Sequence, residues 1–440
     1  MVCGFLSAKR TGKEGKMHTN LDNYSQGFRD RLERYVDLIV EHGLNVRPGQ
    51  LVNISSEVIH RSFVSLLVEA AYRRGASYVH VELVDPLHVR GRVLHSSSDH
   101  LRTLPAFFSA KFSELVDSGA ANLKVLGPEY PEYLSDLDHT AVNDVRTATY
   151  HAAKRFYTEG IGKSKVQWCV VAAATPAWAE KIFPELRGRV AEEMLWEEIF
   201  KICRVDGRDY AERWREHNAR LKSRAERLTA LKIRKLRFSG PGTDLTVGLS
   251  SKALFKGGAD VTSEGHVFEP NLPTEEVFTT PDWRRTEGVV TATRPFYVNG
   301  KLIKDLIITF KNGLISGFSC SEGAATLESY LKSDDGANRL GEVALVGVDS
   351  PVFQSGLTFQ EILYDENAAC HIAVGSAYKG CLRGGGEMTD DECVAIGCNV
   401  SSVHTDIMIS NEAIDVQAVL QSGETIDLLV RGRWVGEFAL

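Results

Sequence analysis

Residues 50–85 run through "QLVNISSEV", "RSFVSLLVEAAYRRGA" and "SYVHVELVD". The outer two are short apolar runs rich in Val and Ile, and the middle one repeats its apolar residues at helical spacing. Strand, helix and strand in that order predict a right-handed crossover between parallel neighbours, and no other feature limits the possible folds as tightly. "NLKVLG" and "VQWCVVAAA" add two buried strands, and "TPAWAEKIF" opens a helix with Pro176 in its first turn. "FRDRLERYVDLIVEHG" predicts a further helix that stops at Gly43. The expected N-terminal half is an α/β domain with a mainly parallel sheet.

The charged stretch at 207–230, "GRDYAERWREHNARLKSRAERLTA", places opposite charges three and four residues apart. It predicts a solvated helix and a domain boundary. Beyond it the texture changes to short alternating segments with glycine turns, such as "KIRKLRFSG", "TDLTVGL" and "LIITFKNGLISGFSC", which predict a β-rich α+β domain. The expected division is an extension over 1–24, with Met17 as an alternative start, an α/β domain over 25–230 and a C-terminal domain over 231–440.

A net charge of −7 argues against a nucleic-acid binder, which would carry a basic excess. No apolar run approaches the ~18 residues of a membrane span. The apolar run near Met1 is too short for a secretory signal. Eight cysteines are scattered, several inside apolar runs and none in CxxC spacing, which predicts reduced, buried thiols in a cytoplasmic protein.

In "SSVHTDIMIS" a period of two sets Val403, Thr405, Ile407 and Ile409 on one face of a strand. The other face carries His404 and Asp406 side by side. Alone, the pair reads equally well as a buried hydrogen-bonded couple. The same half holds other polar exceptions to apolar runs: Glu275 and Glu276 in "LPTEEVFTTPD", Glu342 in "RLGEVALVGVDSP", His371 in "LYDENAACHIAVGSAYKG" and Tyr378 just after it. Asp365 and Glu366 in that last run read as helix-start acids with a structural role. Carboxylates mixed with imidazoles suit zinc, manganese or cobalt, and two or three acids suit two divalent ions better than one.

Other chemistries lack their signatures. "YTEGIGKS" has Tyr157 where a phosphate loop needs glycine, and a strand follows it where a helix should. "RGGGE" reads as a turn, and neither GxSxG nor HExxH occurs. A two-metal phosphate-ester hydrolase, a non-catalytic relative with a degenerate site and a nucleotide-binding α/β protein remain as alternatives.

From "ERYVDLIVEHGLNVRPGQ" to the final "GRWVGEF" the chain resembles the thermophilic-type metallo-aminopeptidases, aminopeptidases T and S and PepS. The motifs that carry the resemblance include "TPAWAEKIFPEL", "GPGTDLTVGL", "NLPTEEVFTTP", "GEVALV", "LYDENAACHIAVGSAY" and "NVSSVHTDIMI". The resemblance implies a C-terminal catalytic domain with two divalent ions, zinc first, with cobalt, manganese or magnesium as substitutes. It also implies peptide substrates cleaved at the N-terminal bond, broad specificity and a homodimer. Its ligands would be Glu276, Glu342, His371, Tyr378, His404 and Asp406, with Glu275 the expected general base and Tyr378 alternatively an oxyanion donor.

Overall fold

The computed structural model describes residues 23–440. The expected extension over 1–24, all but its last two residues, and the alternative start at Met17 lie outside the described residues.

In the N-terminal half a parallel sheet runs in the order Tyr78–Val84, Leu51–Glu57, Ala121–Leu126, Gln167–Ala172. The strand–helix–strand unit read at 50–85 is present, with helix Arg61–Arg73 as its crossover. Helix Gln26–Leu38 starts where the Ser25 hydroxyl accepts from the Phe28 amide, and one wide turn carries it to Gly43. Pro176 opens helix Pro176–Ile182, capped by the Thr175 side chain. A fifth parallel strand, only Asn271–Leu272, pairs with Val170 and Val171 at the sheet edge.

The charged stretch forms helix Tyr210–Ala230, but it is not simply solvated. Trp214 packs into the N-terminal core, while Leu221, Ala225 and Leu228 enter the C-terminal one. His217 and Arg224 are buried on the same helix, and these polar inward positions hide the apolar face from a periodicity reading. The N-terminal core also takes Leu272, Val352, Phe359, Leu363 and Tyr364 from the second half, so the halves share side chains.

The second half holds an eight-stranded antiparallel sheet and a four-stranded one ordered Val277–Thr279, Leu340–Leu345, His371–Gly375, His404–Met408. Val343, Ile372 and Ile407 lie in line across the smaller sheet, and with Leu345 and Val374 they bury one face in the second core. Each such side chain contributes about 1.5–3 kcal/mol. No helix among the described residues is long and apolar enough to cross a membrane.

Candidate metal centre

Register places the polar side chains. Glu342 pairs with Ala373 and Ala373 with Asp406, so these three lie in line on one face of the four-stranded sheet. His371 pairs with Ala344 and Met408, and His404 with Gly375, and all sit on that same face by strand alternation. Glu276, just before strand Val277–Thr279, enters from the edge. Small residues lie between the functional ones. Gly375 has φ +104°, and a Cβ there would meet the Val403 carbonyl at 2.0 Å, so His404 can approach only a glycine.

Both imidazoles are oriented from behind. Nδ1 of His371 lies 3.2 Å from Ala369 O, and Nδ1 of His404 lies 2.8 Å from Ser376 O. Donation to these carbonyls aims each Nε2 at the acids, where it can ligate a cation that displaces its proton. His371 Nε2 stands 3.1 Å from Glu276 Oε2 and 4.0 Å from both Glu342 Oε1 and Asp406 Oδ1. His404 Nε2 stands 3.4 Å from Glu342 Oε2 and from Asp406 Oδ1. Two triads result, Glu276–Glu342–His371 and Glu342–His404–Asp406, each with one donor atom per residue within 4.8 Å of the others, and Glu342 belongs to both.

The electrostatics are those of a site short of positive charge. Burial, with Glu276 and Asp406 nearby, pushes the Glu342 carboxyl up to about 7 against the opposing contact from His404. Burial alone would lower the two histidines, but the surrounding carboxylates hold both well above the ordinary imidazole value. Burial would likewise raise Asp406, yet His404 beside it keeps its carboxyl below the ordinary range. Glu276 Oε2 is buried with the His371 imidazole, 3.1 Å away, as its partner. Buried carboxylate oxygens crowded against imidazole nitrogens, with two histidines set against several acids, fit a divalent cation.

Five of the expected residues therefore converge: Glu276, Glu342, His371, His404 and Asp406. Tyr378 lies at the rim, its ring 5.3 Å from His404 and 5.7 Å from Phe278, with 41% of its surface exposed. Desolvation of its hydroxyl and the negative field of Glu342, Asp406, Glu366 and Glu276 hold its pKa well above that of an ordinary phenol.

Glu275 is not brought in. Its carboxylate pairs with Arg204 at 2.7 Å, away from the cluster, because successive residues of an extended segment point to opposite sides. That placement corrects the expectation of Glu275 as general base. Glu366 takes its place beside the site: burial and the fields of Asp406, Glu276 and Glu342 hold its carboxyl well above the ordinary value. It lies in the single turn Glu366–Ala368 after helix Ile362–Asp365. The only signal in the sequence is its place in "DEN", five residues before His371. Asp365 has a structural role but does not start a helix: it ends helix Ile362–Asp365, accepts from Phe359 N at 2.9 Å and lies 3.4 Å from Arg294.

Fold and site together define a metal-dependent hydrolase with an α/β half and a strand-rich half that carries the ligands. A family model described as thermophilic metalloprotease (M29) matches residues 28–434, and the chain belongs to that family. It is similar to aminopeptidase T of Thermus aquaticus, 39% identical over 408 residues that cover 93% of this chain and 99% of the relative. Aminopeptidase PepS of Streptococcus thermophilus is 36% identical over 409 residues, 93% of this chain and 98% of the relative. The solved structure titled wild-type AmpT from Thermus thermophilus matches with a TM-score of 0.86 at 38% identity, over 93% of this chain and all (100%) of that one. The resemblance read from the motifs is thereby established, and the chain is an enzyme of the metalloprotease class.

Proposed function

We propose that this chain is an aminopeptidase that holds two divalent ions and removes the N-terminal residue of peptides. The observation that carries the reading is the pair of ligand triads sharing Glu342. Four acids, Glu276, Glu342, Glu366 and Asp406, bear on one another in the buried site. Two divalent ions would balance their charge. Bound there, such ions supply Lewis-acid polarisation of the scissile carbonyl and a water acidic enough to ionise near neutral pH.

The chain's own groups do the rest. Glu366, as the carboxylate, takes the attacking water's proton; the fields of its acid neighbours favour the neutral carboxyl so formed, which then returns the proton to the leaving amine. Tyr378, held protonated at neutral pH, donates a hydrogen bond to the carbonyl oxygen as it becomes tetrahedral. This role is preferred to direct ligation. The free α-amino group of the substrate is anchored by an acid of the cluster, which confines cleavage to the chain end. A cavity of about 160 Å³ whose lining includes Tyr297, Gln360 and Met408 lies at the end of strand His404–Met408, which carries two of the ligands. It would receive the first side chain, and a pocket with both apolar and polar walls supports broad specificity.

The catalytic residues then fall within the proposed domain 231–440, with 25–230 as its α/β support. Zinc is the first choice of metal, with cobalt, manganese or magnesium as substitutes. A cytoplasmic location is supported by seven described cysteines that are all free, six of them buried. A homodimer is carried over from the resemblance.

The test is hydrolysis of amino-acid anilides by the purified protein, with chelator, then with each of the four metals restored. Chelation should abolish activity and re-addition restore it, and N-acetylated anilides should not be cut. Undiminished turnover in chelator, or equal cleavage of blocked substrates, would overturn the reading.

A further inference from the structure

The segment that delivers Glu276 is held at almost every residue. It leaves the parallel sheet at Asn271–Leu272 and reaches the metal-facing acid only four residues later. His217 Nε2 donates to Thr274 O at 2.6 Å. The Glu275 amide donates to Asn367 Oδ1 at 2.6 Å, and Asn367 Nδ2 donates to Leu363 O at 2.8 Å and to Pro273 O at 3.4 Å. The Glu275 carboxylate pairs with Arg204 at 2.7 Å, and Arg204 Nη2 also donates to His217 Nδ1 at 3.2 Å. Arg204 itself stacks on Trp214, a residue of the N-terminal core, with its guanidinium carbon 5.4 Å from the ring centroid.

Asn367 follows Glu366 directly, so one amide side chain fixes the backbone beside both acids at once. Asn271 Nδ2 adds a contact of 3.3 Å to Glu366 Oε1. All these groups are nine-tenths buried or more except Asn271: Arg204 is 8% exposed, Glu275 8%, His217 3% and Asn367 0%. Apolar side chains of similar size would serve a core at least as well, because a buried ion pair roughly breaks even against them. What a hydrogen-bonded network adds is one defined position for the chain it holds.

We propose that Arg204, His217, Glu275 and Asn367 are positioning residues for the metal centre: they fix Glu276 and Glu366 relative to the sheet that carries Glu342, His371, His404 and Asp406. The inference rests on the reading of that cluster as a metal site. It assigns Glu275 a role other than catalysis, and it makes the N-terminal core a support of the centre rather than a separate module.

The experiment is a cobalt(II) titration of the full-length protein, read by visible absorbance and by competition with a chromophoric chelator. Wild type is compared with Asn367→Leu, Arg204→Met and Arg204→Lys, and with Val52→Ala as a remote control. Circular dichroism and thermal melting report the fold of each. Asn367→Leu and Arg204→Met should bind cobalt about 10–100-fold more weakly, the usual effect of losing a group that orients a ligand. Their absorbance bands should shift, and kcat should fall more than KM changes. Arg204→Lys keeps the charge opposite Glu275 and should recover most of the affinity. Wild-type affinity and spectrum in both Asn367→Leu and Arg204→Met would overturn the proposal. So would an equal loss of affinity in Val52→Ala at a matched melting temperature, which would reduce the effect to general destabilisation. Failure of wild type to bind any cobalt would instead remove the metal reading itself. If Arg204→Met does not fold, Asn367→Leu and Arg204→Lys decide.

Discussion

In the parallel sheet, Gln50 donates to Gln167 at 2.6 Å and Gln167 passes a donor on to Leu44 O at 2.6 Å. Asn122 donates to Ala120 O at 2.8 Å on a neighbouring strand. The four-stranded sheet buries as many polar groups, but they are ionisable: Glu276, Glu342, His371 and Asp406. These amides donate to one another and to backbone carbonyls, although Asn53 Oδ1 on the same sheet has no partner. The acids crowd together with only imidazoles to offset them, and burial beside Glu276 and Asp406 pushes the Glu342 carboxyl up to about 7. Buried polarity alone therefore does not mark a functional site. Buried charge that its surroundings leave unbalanced does.

The largest test of this contrast is Glu342→Gln, which removes the acid common to both triads. Activity should fall about 10³-fold, on the order of 4 kcal/mol of transition-state stabilisation. The metal-free variant should melt no lower than wild type, since one like charge leaves a crowded cluster. A lower melting point without metal would show that the acids serve stability, as the amides do.

On the other side of the comparison stands His60, buried at the parallel sheet with Nε2 2.6 Å from Gly127 O. Burial lowers it to about 4, so the folded protein keeps it neutral while the unfolded chain protonates it at its ordinary value. A depressed histidine gives stability that is complete above pH 6.5 and is lost as pH falls toward 4. In full this amounts to roughly 3 kcal/mol. Urea titrations between pH 7 and 4 should show that decline, and His60→Gln should flatten part of it without changing cobalt affinity.

Ala373→Leu probes the space between Glu342 and Asp406. A larger side chain at that register position should cut kcat/KM about 100-fold while costing stability only the ~1–3 kcal/mol of an overpacked site. Smallest in effect is Gln167→Leu, predicted to lose about 1–3 kcal/mol of stability by orphaning its partners and to leave kcat unchanged. A large loss of activity there would blur the line between the two sheets.

How far the sequence could be read follows the same division. Strand period two in "SVHTDIM" sets His404 and Asp406 together, and the parallel sheet follows from strand–helix–strand order. Those inferences need only local periodicity. Choosing Glu276 over Glu275 rested on resemblance, because nothing local says which of two adjacent acids faces inward. In sequence Glu366 reads only as a helix-start acid; tertiary packing brings it within the field of Asp406. Arg204 carries no sequence signal: it sits past the end of helix Gly188–Ile202 in a left-handed conformation, φ 59°, and meets Glu275 seventy-one positions later. The two-residue strand Asn271–Leu272 is too short for any period, yet it ties the centre to the other sheet.

The central claim is most directly tested by a crystal soaked in zinc and measured at the zinc absorption edge. Two anomalous peaks are predicted in each chain, one touching Glu276, Glu342 and His371 and the other touching Glu342, His404 and Asp406. An active crystal form with no peak among these residues, or with zinc only elsewhere, would contradict the account.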